Sequence, residues 1–157
     1  MNRGSAIIEG LIVVMVLAIV LSILFVVSNP LTRIKEKADY LRVQDMIAIS
    51  NAWQLRTVSH ANVPLSAFWA KLPDGKAMMI GLDANLGTNK CVKEIAGYID
   101  LNSLVAENFL PSLPINPSKV NNWTTNQTGY YIQKNVDKTV TIGSCEVEEG
   151  VVLEITR

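Results

Sequence analysis

Residues 1–27 read MNRGSAIIEGLIVVMVLAIVLSILFVV, an apolar run that contains a single carboxylate, Glu9. The only polar side chain from Leu11 to Val27 is that of Ser22. With residues 6–10 added, the run reaches the roughly 20 residues that a helix needs to cross a bilayer. An ionised side chain in such a segment costs a few kcal/mol and is usually paired and functional. The alternative is that Glu9 lies close enough to the headgroups to be tolerated.

The remainder of the chain has the size of one small head domain. The full chain has 157 residues, with 14 basic and 14 acidic side chains, so its net charge favours neither nucleic acid nor an anionic membrane surface. The sequence carries no motif of a nucleophilic, zinc-dependent or phosphate-binding enzyme, and its single histidine, His60, has no motif partner. We therefore expect a non-enzymatic protein with no cofactor, metal site or small-molecule substrate, and little support exists for nucleic-acid binding.

The segment Arg3-Gly4-Ser5-Ala6-Ile7-Ile8-Glu9, followed directly by the apolar run, resembles the class III signal of type IV pilins and type II secretion pseudopilins. In that family a prepilin peptidase cuts after the glycine, which here is the bond between Gly4 and Ser5. The resemblance implies that Ser5 becomes a new, N-methylated amino terminus. It also implies that Glu9 acts in processing and assembly. The first mature residue of the family is usually apolar, where this chain has serine.

Cleavage would supply Glu9 with a counter-ion. The new ammonium at Ser5 stands four residues before Glu9, one helical turn away, and pairing turns two costly charges into one tolerable pair. In a filament with these helices at its core, a contact between the amine of one subunit and Glu9 of another would fix the axial register. The sequence leaves open whether Glu9 pairs with its own amine or with a neighbour's.

The expected fold class is α+β, with a long N-terminal helix packed on a small C-terminal antiparallel sheet, as in type IV pilins. Pro30 predicts a kink between the two halves of the helix. Alternating β-branched segments predict three strands at the end of the chain. The expected segments are a leader (1–4), a transmembrane and filament-core helix (5–29), an amphipathic stalk helix (30–58), a connecting region with short helices (59–127) and an antiparallel β-sheet (128–157).

Finer predictions concern the head. Ser66 is expected to cap a short helix over 67–72, and Asp100 a second one with Leu101, Leu104, Val105 and Phe109 on its apolar face. The charges of Asp39, Arg42 and Asp45 are expected to be solvated. The sequence does not decide which face of the sheet packs on the helix. One choice is Tyr130, Ile132, Val140, Ile142, Leu153 and Ile155, and the other is their alternates.

The chain has two cysteines, Cys91 and Cys145. The resemblance implies a head outside the cytoplasm, where an intramolecular disulfide is their simplest use; it would close about 55 residues and contribute about 3–4 kcal/mol. Two buried free thiols are the alternative. Neither cysteine has a second ligand at metal-binding spacing.

The resemblance implies a structural subunit of a type IV pilus-like filament, inserted in a membrane as a prepilin and assembled through its apolar helix. Its partners would be other copies of itself, the prepilin peptidase, an inner-membrane platform protein and the assembly ATPase. The head would lie outside the cytoplasm, and later in an extracellular pilus or envelope-spanning filament. A type II secretion pseudopilin shares every feature. A single-span membrane-anchored binding module and an anchored enzyme would instead show no cleavage at Gly4–Ser5 and no dependence on Glu9.

Overall fold

The computed structural model describes residues 3–27, 30–60, 72–82, 91–118, 121–146 and 152–157. The chain divides into two compact units, Met1–Glu36 and Lys37–Arg157. The first unit contains an apolar helix, and the second contains a small sheet packed on the later part of a second helix. The fold class is therefore α+β.

Helix α1 runs from Arg3 to Val27. Within it, Ile8–Val26 has a mean hydropathy of 2.9 and is long and apolar enough to cross a membrane by length and composition. The side chains of this segment are exposed. The hydroxyl of Ser22 donates to the carbonyl oxygen of Ala18 at 2.7 Å, so this polar group is satisfied within the helix. An apolar surface of this size needs lipid or another helix to cover it.

Helix α2 runs from Pro30 to Ser59. Proline is well suited to the first position of a helix, because the N–H that it lacks would have no partner within the helix there. Residues 28 and 29 lie outside the described residues, so the kink at Pro30 stays a prediction. On the sheet side of α2, Met46, Ile49 and Trp53 are buried at helical spacing.

The sheet has five strands in the order β2-β1-β3-β4-β5. The pair β1–β2 is parallel, and the other three pairs are antiparallel. A short helix, α3 (Asn102–Ala106), follows β2. The strands are β1 (Ala77–Ile80), β2 (Ile95–Ile99), β3 (Tyr130–Lys134), β4 (Val140–Ser144) and β5 (Glu154–Thr156).

The sheet is larger than the three-stranded antiparallel sheet expected from the sequence. Strands β1 and β2 come from the region 59–127, which was expected to be a connecting region with short helices, and their parallel pairing makes the sheet mixed. Their sequences, AMMI and IAGYI, contain methionine, alanine and glycine, which have little preference for strands. Pairing of β1 with β3, and of β2 with β1, stabilises them, and local sequence does not show these pairings.

One face of the sheet packs on α2. Tyr130, Ile132, Val140 and Ile142 are buried in the same cluster as the α2 side chains, and Leu153 and Ile155 are partly buried against it. The structure thus selects the first of the two faces left open by the sequence. Ile142 stands opposite Ile132 on one side and Ile155 on the other, which places these side chains on a common face.

The short helix α3 lies in the segment expected from its apolar spacing. Leu101 and Leu104 are buried, and Val105 and Phe109 are partly buried against the same cluster. The N-cap position is occupied by Leu101, not by Asp100 as expected, although the carboxylate of Asp100 accepts a hydrogen bond from the backbone N–H of Asn102 at 2.7 Å. The other expected helix, 67–72, lies outside the described residues except for Leu72, which is buried.

A second, smaller cluster covers the other face of the sheet. Its buried members are Ala77, Met79, Ile95, Tyr131 and Cys145. The ring of Tyr131 lies over Gly143, the residue opposite it on β4, so closely that a Cβ at position 143 would overlap the ring. Both faces of the sheet are therefore packed.

Candidate functional site

The residues expected to act in processing lie in the first turns of α1. The helix begins at Arg3, so the bond between Gly4 and Ser5 lies in its first turn. Glu9 follows Ser5 by four residues, which places the two positions on one side of the helix, a turn apart. The side chain of Glu9 is exposed, and a Cβ at Gly10 would meet nothing within 4 Å. Another helix therefore has room to approach beside Glu9.

Glu9 is the second residue of the apolar span Ile8–Val26 and the only ionisable side chain in it. The other polar side chain, Ser22, is already satisfied by Ala18. In hydrocarbon, a carboxylate needs a partner that this span does not provide. Glu9 is therefore the one position of the span that demands a cation from elsewhere.

The head contains a buried arginine. Arg42 has no exposed surface, so the expectation that its charge is solvated is wrong. Its Nη1 donates to Asp39 Oδ1 at 2.6 Å, its Nη2 to Glu146 Oε2 at 3.3 Å and its Nε to Asn116 Oδ1 at 2.9 Å. Burial of a guanidinium is tolerable only when charge partners and hydrogen bonds compensate its lost hydration, as they do here.

Asn116 and Glu146 extend this network. The Nδ2 of Asn116 donates to the carbonyl oxygen of Gly129 at 3.1 Å and to Ser144 Oγ at 2.8 Å. Glu146 Oε1 accepts hydrogen bonds from Ser118 Oγ and from Asn121 Nδ2. Because the carboxylate of Glu146 already accepts hydrogen bonds from Arg42 and from these two donors, it is poorly placed to bind a cation. In the part of the chain that the structure describes, no group of three His, Cys, Asp or Glu side chains could hold a metal ion.

The sequence contained a signal for the burial of Arg42. Arg42, Met46, Ile49 and Trp53 follow at spacings of four, three and four residues, which is the spacing of one helix face. The last three are core residues, so the same face includes Arg42. Its partners Asn116 and Glu146 come from distant loops and carry no comparable signal.

Asp45 lies one turn after Arg42 at the border of the core. The hydroxyl of Tyr130 donates to Asp45 Oδ2 at 2.6 Å. Burial raises the pKa of Asp45 above its ordinary value of 3.8, although the hydrogen bond from Tyr130 acts in the opposite direction. Burial and the contact with Asp45 also raise the pKa of Tyr130, so this phenol stays protonated and keeps donating.

A disulfide joins Cys91 and Cys145. Next to it, the N–H of Val92 donates to the carbonyl oxygen of Cys145 at 3.1 Å, and the Nζ of Lys93 donates to Glu154 Oε1 at 2.7 Å. Burial would raise the pKa of Glu154, but the hydrogen bonds from Lys93 and Tyr131 outweigh it and lower the pKa. The segment after Cys91 is thus fastened to β5 and to the end of β4.

His60 lies at the end of α2. Its Nδ1 is 3.2 Å from the carbonyl oxygen of Arg56, and its Nε2 is 3.5 Å from Glu107 Oε2. Arg56 makes two hydrogen bonds to the same carboxylate, at 3.0 and 2.8 Å. The arrangement ties the end of α2 to the residue after α3. The hydroxyl of Ser59, the residue before His60 in the chain, lies 3.1 Å from His60 Nδ1 and also donates to the carbonyl oxygen of Arg56 at 3.2 Å.

The three tryptophans have different environments. Trp53 is buried in the main core. Trp123 is half-buried: it packs against the second cluster, close to Gly129. Trp69 lies outside the described residues. Neither of the two described tryptophans is therefore an open stacking surface for bases or sugars.

Comparisons of the chain with protein-family models, with curated proteins and with solved structures find no match. The functional argument therefore depends on the residues of this chain. Two features stand out: the exposed carboxylate of Glu9 in an apolar helix, and the buried guanidinium of Arg42 in the head.

Replacing Arg42 with leucine should strongly destabilise the head. Asp39, Asn116 and Glu146 would lose their shared donor, and breaking a buried ion pair from one side costs about 3–5 kcal/mol. Urea unfolding of the full chain in detergent, followed by tryptophan fluorescence, measures the change. The control is Arg56→Leu, which removes a partly exposed ion pair with Glu107 and should cost much less. An equal decrease in the free energy of unfolding in the two variants would contradict the assigned role of Arg42.

Replacing Asp45 with asparagine should stabilise the protein at neutral pH. The raised pKa means that the folded state holds the proton more tightly than the unfolded state, so ionisation of Asp45 lowers the free energy of unfolding as the pH rises above 3.8. Asparagine keeps an acceptor for Tyr130 and carries no charge. The gain at pH 7 should therefore shrink as the pH falls toward 3, as urea unfolding at several pH values would show.

Asp137 provides a control in which ionisation of the carboxyl changes the free energy of unfolding in the opposite direction. Hydrogen bonds from the hydroxyl and the N–H of Thr139 lower the pKa of Asp137, so its ionised form stabilises the fold above the ordinary pKa. Asp137→Asn should therefore lose stability at pH 7 and approach the wild type in acid. A stability difference for Asp45→Asn that does not change with pH would show that its ionisation is not the cause.

Proposed function

We propose that this chain is a structural subunit of a type IV pilus-like filament. In this proposal it enters a membrane through α1, is cut between Gly4 and Ser5 and assembles through its apolar helix. One observation carries the proposal: Glu9 is the lone ionisable side chain of the exposed apolar span Ile8–Val26, and it stands one turn after the cleavage bond.

The exposure of α1 supports assembly or membrane insertion over a role in a soluble core. A core helix would bury one face against the rest of the protein. Here the side chains from Ile8 to Val26 are exposed, so hydrocarbon from lipid or from other helices must cover them. A precursor in the bilayer and a subunit in a helical bundle both satisfy this requirement.

Cleavage supplies the charge that Glu9 lacks. With Ser5 as the first residue, an ammonium appears one turn from Glu9, at a helix end where the dipole also favours a carboxylate. Contact with the amine of a neighbouring subunit satisfies both charges in an environment where each alone is costly. Processing and assembly then depend on the same carboxylate.

The head fits an environment outside the cytoplasm. Its two cysteines form a disulfide, and disulfides persist in oxidising compartments. The partners in this proposal are other copies of the chain, a prepilin peptidase, a membrane platform protein and an assembly ATPase. The proposal covers both a pilus and a secretion pseudopilus, because the features that support it are common to both.

The mature amino terminus tests the cleavage. Purified from cells that contain an active prepilin peptidase, the protein should begin at Ser5, as mass spectrometry of its N-terminal peptide would show. Gly4→Val should block the cut because it changes the residue before the bond. Gly10→Ala is the control, since a methyl group there meets open space and should leave processing intact. A wild-type chain that still begins at Met1 would exclude the proposal.

Neutralising Glu9 should abolish assembly and leave the chain in the membrane. Glu9→Gln keeps the size of the side chain and removes the charge that pairs with the amine. Glu9→Asp keeps the charge and should restore part of the assembly. The measurement is the fraction of the protein in sheared filaments, with the N-terminus of each variant checked in parallel. Wild-type assembly of a correctly cut Glu9→Gln protein would show that the charge pair is dispensable. A chain that is not cut between Gly4 and Ser5 and does not depend on Glu9 would favour a single-span anchored binding module.

A further inference from the structure

A groove of about 340 Å³ lies in the head, between the C-terminal part of α2 and the start of β4. We call it the α2–β4 groove. Ser50, Trp53 and Val58 line it from α2, and Val140 and Ile142 line it from β4. Sites for small organic ligands commonly measure about 300–1,000 Å³, so this groove has room for a small molecule.

The surface of the groove is mostly apolar. Trp53, Val140 and Ile142 form part of its lining although they belong to the main core. Val58, at its edge, is 75% exposed. An aliphatic or aromatic group that entered the groove would leave water and would also cover Val58. The groove therefore favours a ligand with an apolar body.

Two exposed cations, Lys138 and Arg157, also line the groove. The N–H and the main-chain oxygen of Arg157 pair with Val140 at 3.0 and 2.8 Å, which places the two side chains on the same face of the sheet. The Nη1 of Arg157 donates to Asn51 Oδ1 at 3.3 Å, and its guanidinium has further N–H donors. None of the described residues that line the groove is acidic. The charge of the groove therefore favours an anion.

Lys138 occupies a turn position that suits glycine. In the turn between β3 and β4, the N–H of Asn135 donates to the carbonyl oxygen of Thr139 at 2.9 Å, and that of Lys138 to the carbonyl oxygen of Asn135 at 3.1 Å. Lys138 has a φ of 69°, in the left-handed region that glycine adopts without steric cost. The turn alone does not explain a lysine here. Backbone strain of this kind is typical of functional positions.

Ser50 adds a polar atom to the apolar lining. The residue is only 4% exposed, and it lines the groove. Within the described ranges its hydroxyl has no hydrogen-bond partner, whereas the buried hydroxyl of Thr128 donates to the carbonyl oxygen of Ile80 at 2.6 Å. Buried hydroxyls are ordinarily hydrogen-bonded. A ligand in the groove would therefore gain from an oxygen that reaches Ser50.

We propose that the α2–β4 groove binds a small carboxylate with an aliphatic or aromatic body. The body covers the apolar lining, and the carboxylate accepts hydrogen bonds from Lys138 and Arg157. A carboxylate matches the forked donors of a guanidinium. The site lies wholly within the unit Lys37–Arg157 and uses no residue of the cleavage site, so it does not depend on the proposed filament.

Photochemical labelling tests the site. The probe is para-benzoylbenzoate, whose benzophenone bonds covalently to nearby C–H groups on illumination. Incubated with the full chain in phosphatidylcholine nanodiscs, it should label peptides that contain residues 50–58 or 138–142, as mass spectrometry would show. The matched control is para-benzoylbenzamide, which has the same body without the charge. Far below saturation it should label about tenfold less, because it loses the charged hydrogen bonds.

Adducts found only outside the groove, or equal labelling by the two probes, would overturn the proposal. Competition separates the apolar body from the charge. An excess of phenylbutanoate should suppress labelling of the groove, whereas inorganic phosphate at the same concentration should not, since phosphate has no apolar body. Equal suppression by phosphate would show a site for anions in general and would also overturn the proposal.

A lysine variant separates binding from folding. Lys138→Gly removes the cation and suits the backbone, so the variant should be at least as stable to urea as the wild type. Its labelling by para-benzoylbenzoate should nevertheless fall about tenfold. Lys138→Arg keeps the charge and should keep most of the labelling.

The matched control is Asn108→Gly. Asn108 also has a positive φ, of 61°, and is exposed, but it does not line the groove. This variant should be labelled like the wild type. Undiminished labelling of Lys138→Gly, or an equal decrease in Asn108→Gly, would reject the assignment of Lys138 to a binding site.

Discussion

The burial of Arg42 is the constraint on which the head depends. Apolar packing of a helix on a sheet tolerates small slips, because contacts between methyl groups have little directional preference. A guanidinium has fixed donor directions, and Arg42 uses them on Asp39, Asn116 and Glu146, which belong to α2, to the segment before β3 and to the end of β4. Any slip of the sheet along α2 would leave a buried charge without partners. The network therefore selects one position of the sheet on the helix.

That fixed position decides which side chains of α2 are buried and which are exposed. Met46, Ile49 and Trp53 pack in the core with the sheet, while Leu41 and Leu55 are exposed. On the opposite face of the sheet, the disulfide and the ion pair of Lys93 with Glu154 accompany the second cluster, so the described residues pack on both faces.

The parts of the fold that can be predicted from the sequence are those with a regular hydrophobic pattern or a strongly apolar composition. The apolar run of α1 and the alternation of β3 and β4 predict their own structures. The strands AMMI (β1) and IAGYI (β2) do not, because β1 forms by pairing with β3 and β2 by pairing with β1, and these distant partners are not visible in the local sequence. Arg42 was misjudged because a charged residue is ordinarily exposed, although its spacing from Met46 and Ile49 places it on the core side. Glu9 was visible because an acid is rare in an apolar run of membrane length. The partners Asn116 and Glu146 become apparent only when the fold brings distant segments together.

Glu9 and Asp45 show one kind of group in two different environments. Asp45 is half-buried at the edge of the core, where the hydroxyl of Tyr130 donates to it and burial raises its pKa. The fold of the head thus supplies a donor to this carboxylate. Glu9 is exposed in the apolar span Ile8–Val26, whose other polar side chain, Ser22, is satisfied within the helix. Because that span has no second ionisable side chain, compensation for a charge at Glu9 has to come from outside the span.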